Sequence, residues 1–255
     1  MPATYLSIED AKHRQGLRMV VVAGLPSPWS EAAKGILHIK NVTWTGVYLD
    51  PSNNDMAEWT GSRSAPVIMY NDEPPRPGWE QILLLAERLS PEPSLLPFDP
   101  ETKAQAMGFC HEICGEMGLG WVRRLNSVHN GLTGEGGFPK PIAQYLAQKY
   151  GYQKQQGLEY EARVISLLNM LAEHLHKQRD KGEHFYIGAK LSAVDIYSAT
   201  FMAYFKPLAA EHSPMPDSIR SAFESMSEQI TAALNPILIE HRDFIYSEYL
   251  ELPPV

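Results

Sequence analysis

The chain has 255 residues, 44% of them hydrophobic and 20% charged, with a formal net charge of -8. That is the composition of an ordinary soluble globular protein, long enough to bury one or two cores. The acidic balance argues against nucleic acid or an anionic membrane as the main partner, because both select a basic surface. No run approaches the ~20 apolar residues of a membrane span. The opening Met1-Pro2-Ala3-Thr4-Tyr5 lacks the charged and apolar regions of a signal peptide. A cytoplasmic protein is expected, and the two cysteines, Cys110 and Cys114, read as buried free thiols in a reducing compartment. With only His111 beside them, they do not form a metal site, and no metal is expected.

Residues 1–17 form a long lead-in in which Tyr5-Leu6-Ser7-Ile8 could add an edge strand or cover a surface. The first clear element is a strand over 18–23, where Met19-Val20-Val21-Val22-Ala23 is short, β-branched and suited to burial on both faces. Gly24-Leu25-Pro26 turns the chain, and a helix over 28–40 follows. Ser27 stands at its N-cap and Pro28 at the first helical position, where the missing N–H costs nothing. Thr43 to Leu49 reads as a second strand, completing a βαβ unit. Asp50-Pro51-Ser52-Asn53-Asn54 is a turn. Ser62 to Tyr70 is a third strand with Pro66 at its entrance, the place where a strand tolerates a residue without an N–H. Asn71 to Pro77 allows at most a short edge strand, and Ile82, Leu85, Ala86 and Leu89 then mark one face of a helix.

A helix starting at the carboxyl end of a buried strand points unpaired N–H groups and a partial positive charge into the crevice there, which favours an anion such as a thiolate. The Ser27 hydroxyl belongs to the same spot. Ser27 is equally well placed as a plain N-cap, and the residues alone leave both roles open.

The order βαβ followed by x-Pro-β, with Ser27-Pro28-Trp29-Ser30 at the first βα turn, resembles the thioredoxin-like domain of the glutathione transferases. The turn is similar to the C-P-x-C or C-P-x-S turns of thiol-using relatives, with serine at both cysteine positions. The resemblance implies that Ser27 holds the sulfur of glutathione and that Pro28, Trp29 and Ser30 lie beside it. It implies that Pro66 is cis, with the backbone of Ala65 pairing with the cysteinyl part of the tripeptide. The family opens the next helix with Glu-Ser, which binds the γ-glutamyl end. Here Gly78-Trp79 stand in their place, which puts Trp79 or Glu80 in the role of partner or points to a changed ligand.

Ser90 to Pro100 carries four prolines in eleven residues and reads as a linker. The domains expected are 1–90, thioredoxin-like with an N-terminal extension, and 101–255, all helical, joined by a linker over 91–100. In the second, Glu101 to about Val128 reads as one long helix. Gly131 to Gly137 reads as a break, Pro141–Tyr150 as a short helix and Leu158–Gln178 as a longer one. Met215 to Leu234 is helical as well. Phe185-Tyr186-Ile187-Gly188-Ala189-Lys190-Leu191-Ser192-Ala193-Val194-Asp195-Ile196 contains a capping box, Ser192 with Asp195, opening an apolar helix. It also resembles the F-x-x-G-x-x-x-[ST]-x-x-D-[IL] stretch of the glutathione transferase helical domain.

The expected function is therefore glutathione transfer: the thiolate of glutathione as co-substrate attacks a small apolar or aromatic electrophile, with Ser27 as the catalytic residue. Phe109, Ile113, Met117 and Trp121 are candidate acceptor contacts or interhelical core. A homodimer is expected. The rival expectation is a non-catalytic binding or scaffold module that keeps the fold.

Overall fold

The computed structural model describes residues 4–251, which fall into two compact units: residues 4–95 with 249–251, and Leu96–Glu248. Among the described residues no helix is long and apolar enough to cross a membrane.

The first unit is thioredoxin-like. Its elements are β1 (Thr4–Tyr5), α1 (Ile8–Lys12), β2 (Leu17–Val21), α2 (Pro28–Ile39), β3 (Thr45–Tyr48), α3 (Asn54–Thr60), β4 (Val67–Tyr70) and α4 (Trp79–Leu89). The strands lie in the order β1-β3-β2-β4. β2 and β3 run parallel, with Met19 opposite Gly46, and β4 is antiparallel to β2, with Met19 opposite Ile68. Every residue of β2 is buried, as its continuous apolar run implies. Val20, Val47, Val67 and Met69 join Ala11 of α1 and Met56 of α3 in one cluster. Met19 and Ile68 alternate to the opposite face, and the helices α2 and α4 pack on each other. Each such fully buried aliphatic side chain contributes about 1.5–3 kcal/mol.

The lead-in supplies a true strand. β1 pairs parallel with β3, with Tyr5 opposite Gly46 and the Leu6 N–H donating to the Gly46 carbonyl at 2.9 Å. The Tyr5 ring lies across Gly46, where a Cβ would come within 2.6 Å of it, so only glycine fits there. The ring stacks on Tyr48 at 4.3 Å and meets Trp44 edge-on at 6.1 Å. Past β4, Arg76 exchanges two backbone hydrogen bonds with Ile68, of 2.9 and 3.0 Å, and this bridge is all that the Asn71–Pro77 stretch adds to the sheet.

The proline-rich segment after α4 is held by a buried cation. Lys40 Nζ donates to the carbonyls of Ser90 (2.8 Å), Pro91 (3.3 Å) and Pro93 (2.8 Å) and lies 2.5 Å from Glu87 Oε1. Glu87 in turn accepts from the Ser94 hydroxyl and the Leu95 N–H, both at 2.9 Å. A buried ammonium demands such partners, and here backbone carbonyls supply most of them.

The second unit is a helical bundle: α5 (Pro100–Cys114), α6 (Leu119–Thr133), α7 (Lys140–Tyr150), α8 (Gly157–Asp180), α9 (Ala193–Phe201), α10 (Asp217–Glu224), α11 (Glu228–Ala233) and α12 (Pro236–Tyr249). The single helix expected over Glu101–Val128 is two. Gly115 closes α5 with its N–H on the His111 carbonyl at 2.8 Å, and Met117 takes a left-handed φ of 58° before α6 begins. A Cβ on Gly118 would sit 2.6 Å from the His111 carbonyl oxygen, so the close return of the chain depends on glycine. The helical stretch expected over Met215–Leu234 is likewise interrupted, at Ser225 to Ser227. There the Ser227 hydroxyl accepts from the Ile230 N–H and starts α11 afresh.

Two buried polar nodes fix this unit. Asp195 accepts from the N–H and hydroxyl of Ser192 (2.8 and 2.7 Å) and from the N–H of Tyr186 (2.8 Å), tying the loop before α9 to its first turn. Arg123 is fully buried in α6 and uses all five N–H groups. They go to the carbonyls of Tyr204, Phe223 and Ser225, to Asn126 Oδ1 and to the Ser127 hydroxyl. Burial pushes its pKa down to about 10, still charged at neutral pH.

Candidate active site

The turn from β2 to α2 needs one residue with a left-handed backbone, and Gly24 provides it at φ 66°. Ser27 then takes the extended N-cap conformation (φ -69°, ψ 117°), and its carbonyl accepts the first helical bond from the Glu31 N–H at 2.9 Å. Its side chain, however, makes no capping hydrogen bond. Ser192, at the start of α9, likewise caps no backbone N–H through its side chain, its hydroxyl going to Asp195 instead. Ser7, Asn53, Asp99 and Ser227, at four other helix starts, all accept a backbone N–H through the side chain. The half-buried Ser27 hydroxyl bonds no other described residue, so Ser27 caps α2 through its backbone and not through its side chain.

The next residues are more enclosed. Pro28 is buried and Trp29 half-buried. Ser30 is 1% exposed, with its hydroxyl lacking a hydrogen-bond partner. Glu31, 8% exposed, places Oε1 3.0 Å from Lys34 Nζ and leaves Oε2 without a partner. Burial raises the pKa of the Glu31 carboxyl, against the opposing pull of Lys34. The Tyr5 hydroxyl is pushed up to about 12, chiefly by burial and then by Tyr48 and Glu31. The lead-in strand thus brings a phenol near the first turn of α2.

The Ala65–Pro66 peptide bond is cis, as the family resemblance implies, and a second cis bond joins Glu92 and Pro93. Neither the N–H nor the carbonyl of Ala65 bonds another described residue. The registers bring three stretches to one end of the sheet. Val20 pairs with Val67, so the chain leaving β2 for Ser27 and the chain entering β4 at Ala65–Pro66 share that end. Arg76 opposite Ile68 carries the chain back toward the same end, where Gly78 caps α4 and Trp79 begins it.

No family model and no curated protein sequence matches the chain. Solved structures do. A glutathione S-transferase from Methylobacillus flagellatus with glutathione bound superposes with a TM-score of 0.63 at 13% identity, covering 91% of this chain and 96% of that one. One from Methylobacterium radiotolerans in complex with glutathione sulfonate gives 0.61 at 16% identity, covering 92% of each. A rice enzyme in complex with glutathione gives 0.58 at 16% identity and 94% of each chain. The chain has the glutathione transferase fold.

At the start of α4, where the family resemblance leads one to expect Glu-Ser, this chain has Gly78-Trp79. Gly78 offers no side chain, and its N–H donates to Gln81 Oε1 at 3.3 Å. The Glu80 carboxylate folds back over Gly78, where a Cβ would meet its oxygens at 2.9 and 3.0 Å. The helix end that suits an incoming carboxylate already carries one of its own.

The helical residues named as acceptor contacts are engaged with their own unit. Ile113 is fully buried. The Phe109 ring lies 4.4 Å from that of His174, and Trp121 meets Tyr150 edge-on at 4.9 Å. Met117 alone of the four is substantially exposed. Cys110 and Cys114 are free and buried, the Cys114 thiol donating to the Cys110 carbonyl. Burial raises the Cys110 pKa, the opposite of what a nucleophile needs. No group of three His, Cys, Asp or Glu residues among those described is placed to hold a metal ion. The electrostatic link between Tyr5 and Glu31 was not visible in the sequence. They lie 26 positions apart, and only the parallel pairing of β1 with β3 brings them near each other.

Proposed function

We propose that the protein is a glutathione transferase in which the Ser27 hydroxyl donates a hydrogen bond to the glutathione thiolate. The observation that carries this reading is an N-cap serine whose hydroxyl is left unused by the fold. Lowering a thiol pKa from ~8.5 to ~6.5 requires about 2.7 kcal/mol of preferential stabilisation of the anion. The N-terminus of α2 supplies roughly 0.3–1 kcal/mol, up to about 2 when partly buried. A charge-assisted hydrogen bond from Ser27 supplies about 1.5–3. Together they suffice without a general base. The thiolate then forms a carbon–sulfur bond to an electrophilic apolar or aromatic small molecule, the leaving group departs with its bonding pair, and the thiol proton passes to solvent.

In this reading Pro28, Trp29 and Ser30 line the sulfur site, and Ala65, before Pro66, pairs its open N–H and carbonyl with the cysteinyl backbone. Trp79 and Glu80 meet the γ-glutamyl end, and Glu80 favours the tripeptide's ammonium over its carboxylate there. Serine in place of cysteine at 27 and 30 disfavours disulfide exchange through the enzyme. A cytoplasmic homodimer belongs to the same proposal; sedimentation of the purified chain at twice its monomer mass checks the dimer.

The second reading is a non-catalytic module of the same fold, and the Glu80 carboxylate over the start of α4 favours it. Titrating glutathione while following tryptophan emission, with Trp29 and Trp79 as reporters, separates the two. Saturable quenching at millimolar glutathione or below, with turnover of an activated aryl halide that Ser27→Ala abolishes or cuts at least tenfold, supports the transferase. No quenching and no turnover leaves the module.

A further inference from the structure

The helical unit contains a cluster that the transferase reading does not use. Arg124, in the middle of α6, donates to the hydroxyls of Tyr150 and Tyr204, and its guanidinium lies 4.5 Å from the Tyr150 ring centre and 5.4 Å from that of Tyr204. Lys149, in the last turn of α7, places its ammonium 5.7 Å from the same Tyr150 ring and 5.8 Å from Tyr145. Two cations from two helices thus share one aromatic ring, and the edge-on Trp121 closes the group.

Like charges on one ring repel, a cost that the cation–π contacts offset by about 0.5–1 kcal/mol each at exposed sites. The C-terminal end of α7 offsets one positive charge, since a helix terminus favours a cation by about 0.3–1 kcal/mol; it does not call for a second. Among the described residues no carboxylate forms an ion pair with Lys149, although it stands at the surface of a protein with net charge -8. Desolvation, and then Arg124, lower the Lys149 pKa, as expected of a cation facing another. Tyr145, 51% exposed, adds an open ring face beside the ammonium.

The geometry points to a binding site for a small aromatic carboxylate on this face of α6 and α7, the carboxylate meeting Lys149 with Arg124 behind it and the ring lying against Tyr145. A carboxylate between the two cations removes their repulsion, and a flat ring gains contact that a bare inorganic anion does not. The acidic remainder of the surface disfavours long polyanions, which leaves small ligands as the class that fits.

Calorimetric titration of the full chain with benzoate, benzyl alcohol and inorganic phosphate tests the site, using wild type, Lys149→Gln, Lys149→Arg and Tyr145→Ala. The expected result is saturable benzoate binding below about 10 mM, with benzyl alcohol and phosphate at least tenfold weaker. Lys149→Gln is expected to weaken benzoate about tenfold and Lys149→Arg to restore it. Tyr145→Ala is expected to weaken benzoate and leave phosphate unchanged. Benzyl alcohol binding as tightly as benzoate, phosphate binding as tightly as benzoate, unchanged affinity in Lys149→Gln, or no saturation at all overturns the proposal. Lys149 and Tyr145 are surface residues, so circular dichroism of each variant should match wild type, and Lys149→Arg serves as the folded control.

Discussion

Two serines stand one residue before a helix, and the molecule treats them differently. Ser192, before α9, is buried and fully engaged: its N–H and hydroxyl both reach the Asp195 carboxylate, which also holds the Tyr186 N–H. Ser27, before α2, adopts the same kind of extended N-cap backbone, yet its hydroxyl bonds no other described residue. A hydroxyl used by the fold contributes stability and is unavailable to a ligand; one left over contributes little stability and is available. The same residue type at the same helical position is therefore consumed by the fold in one case and left over in the other, according to what the neighbouring residues accept.

That contrast can be broken most directly at Asp195. Asp195→Ala strips three hydrogen bonds from buried donors at once and is expected to destabilise the chain by about 3 kcal/mol or more, measured by urea unfolding. The contrast is sharpened by Ser27→Ala. Turnover should fall at least tenfold, about 1.4 kcal/mol in the barrier, while the unfolding free energy changes by less than ~0.5 kcal/mol. An equal loss of stability, or unchanged turnover, would make Ser27 an ordinary cap. Ser192→Ala should show the reverse pattern, costing about 1 kcal/mol of stability and leaving glutathione-dependent fluorescence unaltered.

The smallest expected effect concerns Glu31. Its carboxyl holds a proton more tightly in the folded chain than in the unfolded one, because burial disfavours the anion. The native state therefore binds more protons than the unfolded state between the ordinary value of ~4.3 and the raised folded value. The contribution to stability is complete below ~4.3 and is lost as the pH rises through the folded pKa. Glu31→Gln carries no such titration, so it should gain stability over wild type at neutral pH, with the gain vanishing below about pH 4. A pH series of urea midpoints checks this, and a gain that persists at low pH would contradict it.

The strand–helix–strand core of the first unit was legible in sequence because its signals are local. A β-branched run, a Ser-Pro helix start and a proline at a strand entrance each mark a boundary within a few residues. α1 and α3 were not legible. They have five and seven residues, burying only Ala11 in one and Met56 and Thr60 in the other, too few apolar positions to show a period. The break between α5 and α6 was hidden because its apolar spacing continues through Gly115–Gly118, and only the return of the chain onto the His111 carbonyl reveals the turn. Arg123 reads as a surface residue of an amphipathic helix. Its burial depends on carbonyls up to 102 positions away. At the candidate site the cis Ala65–Pro66 bond was anticipated from the family resemblance. The fold of Glu80 back over Gly78 is a rotamer choice that no spacing encodes.

The two-residue strand β1 has a further effect. An outermost strand offers unsatisfied backbone groups to any other extended chain, and sheets left open in this way add to one another. Thr4 and Tyr5 occupy that rim of β3, and the Tyr5 ring covers the glycine that would otherwise be its flattest and least guarded point. A chain trimmed to begin at Leu6 would bare Gly46 between the rings of Trp44 and Tyr48, and light scattering of such a variant should rise with concentration where that of the full chain does not. Such a rise would assign Thr4 and Tyr5 the work of keeping the sheet from adding to another chain.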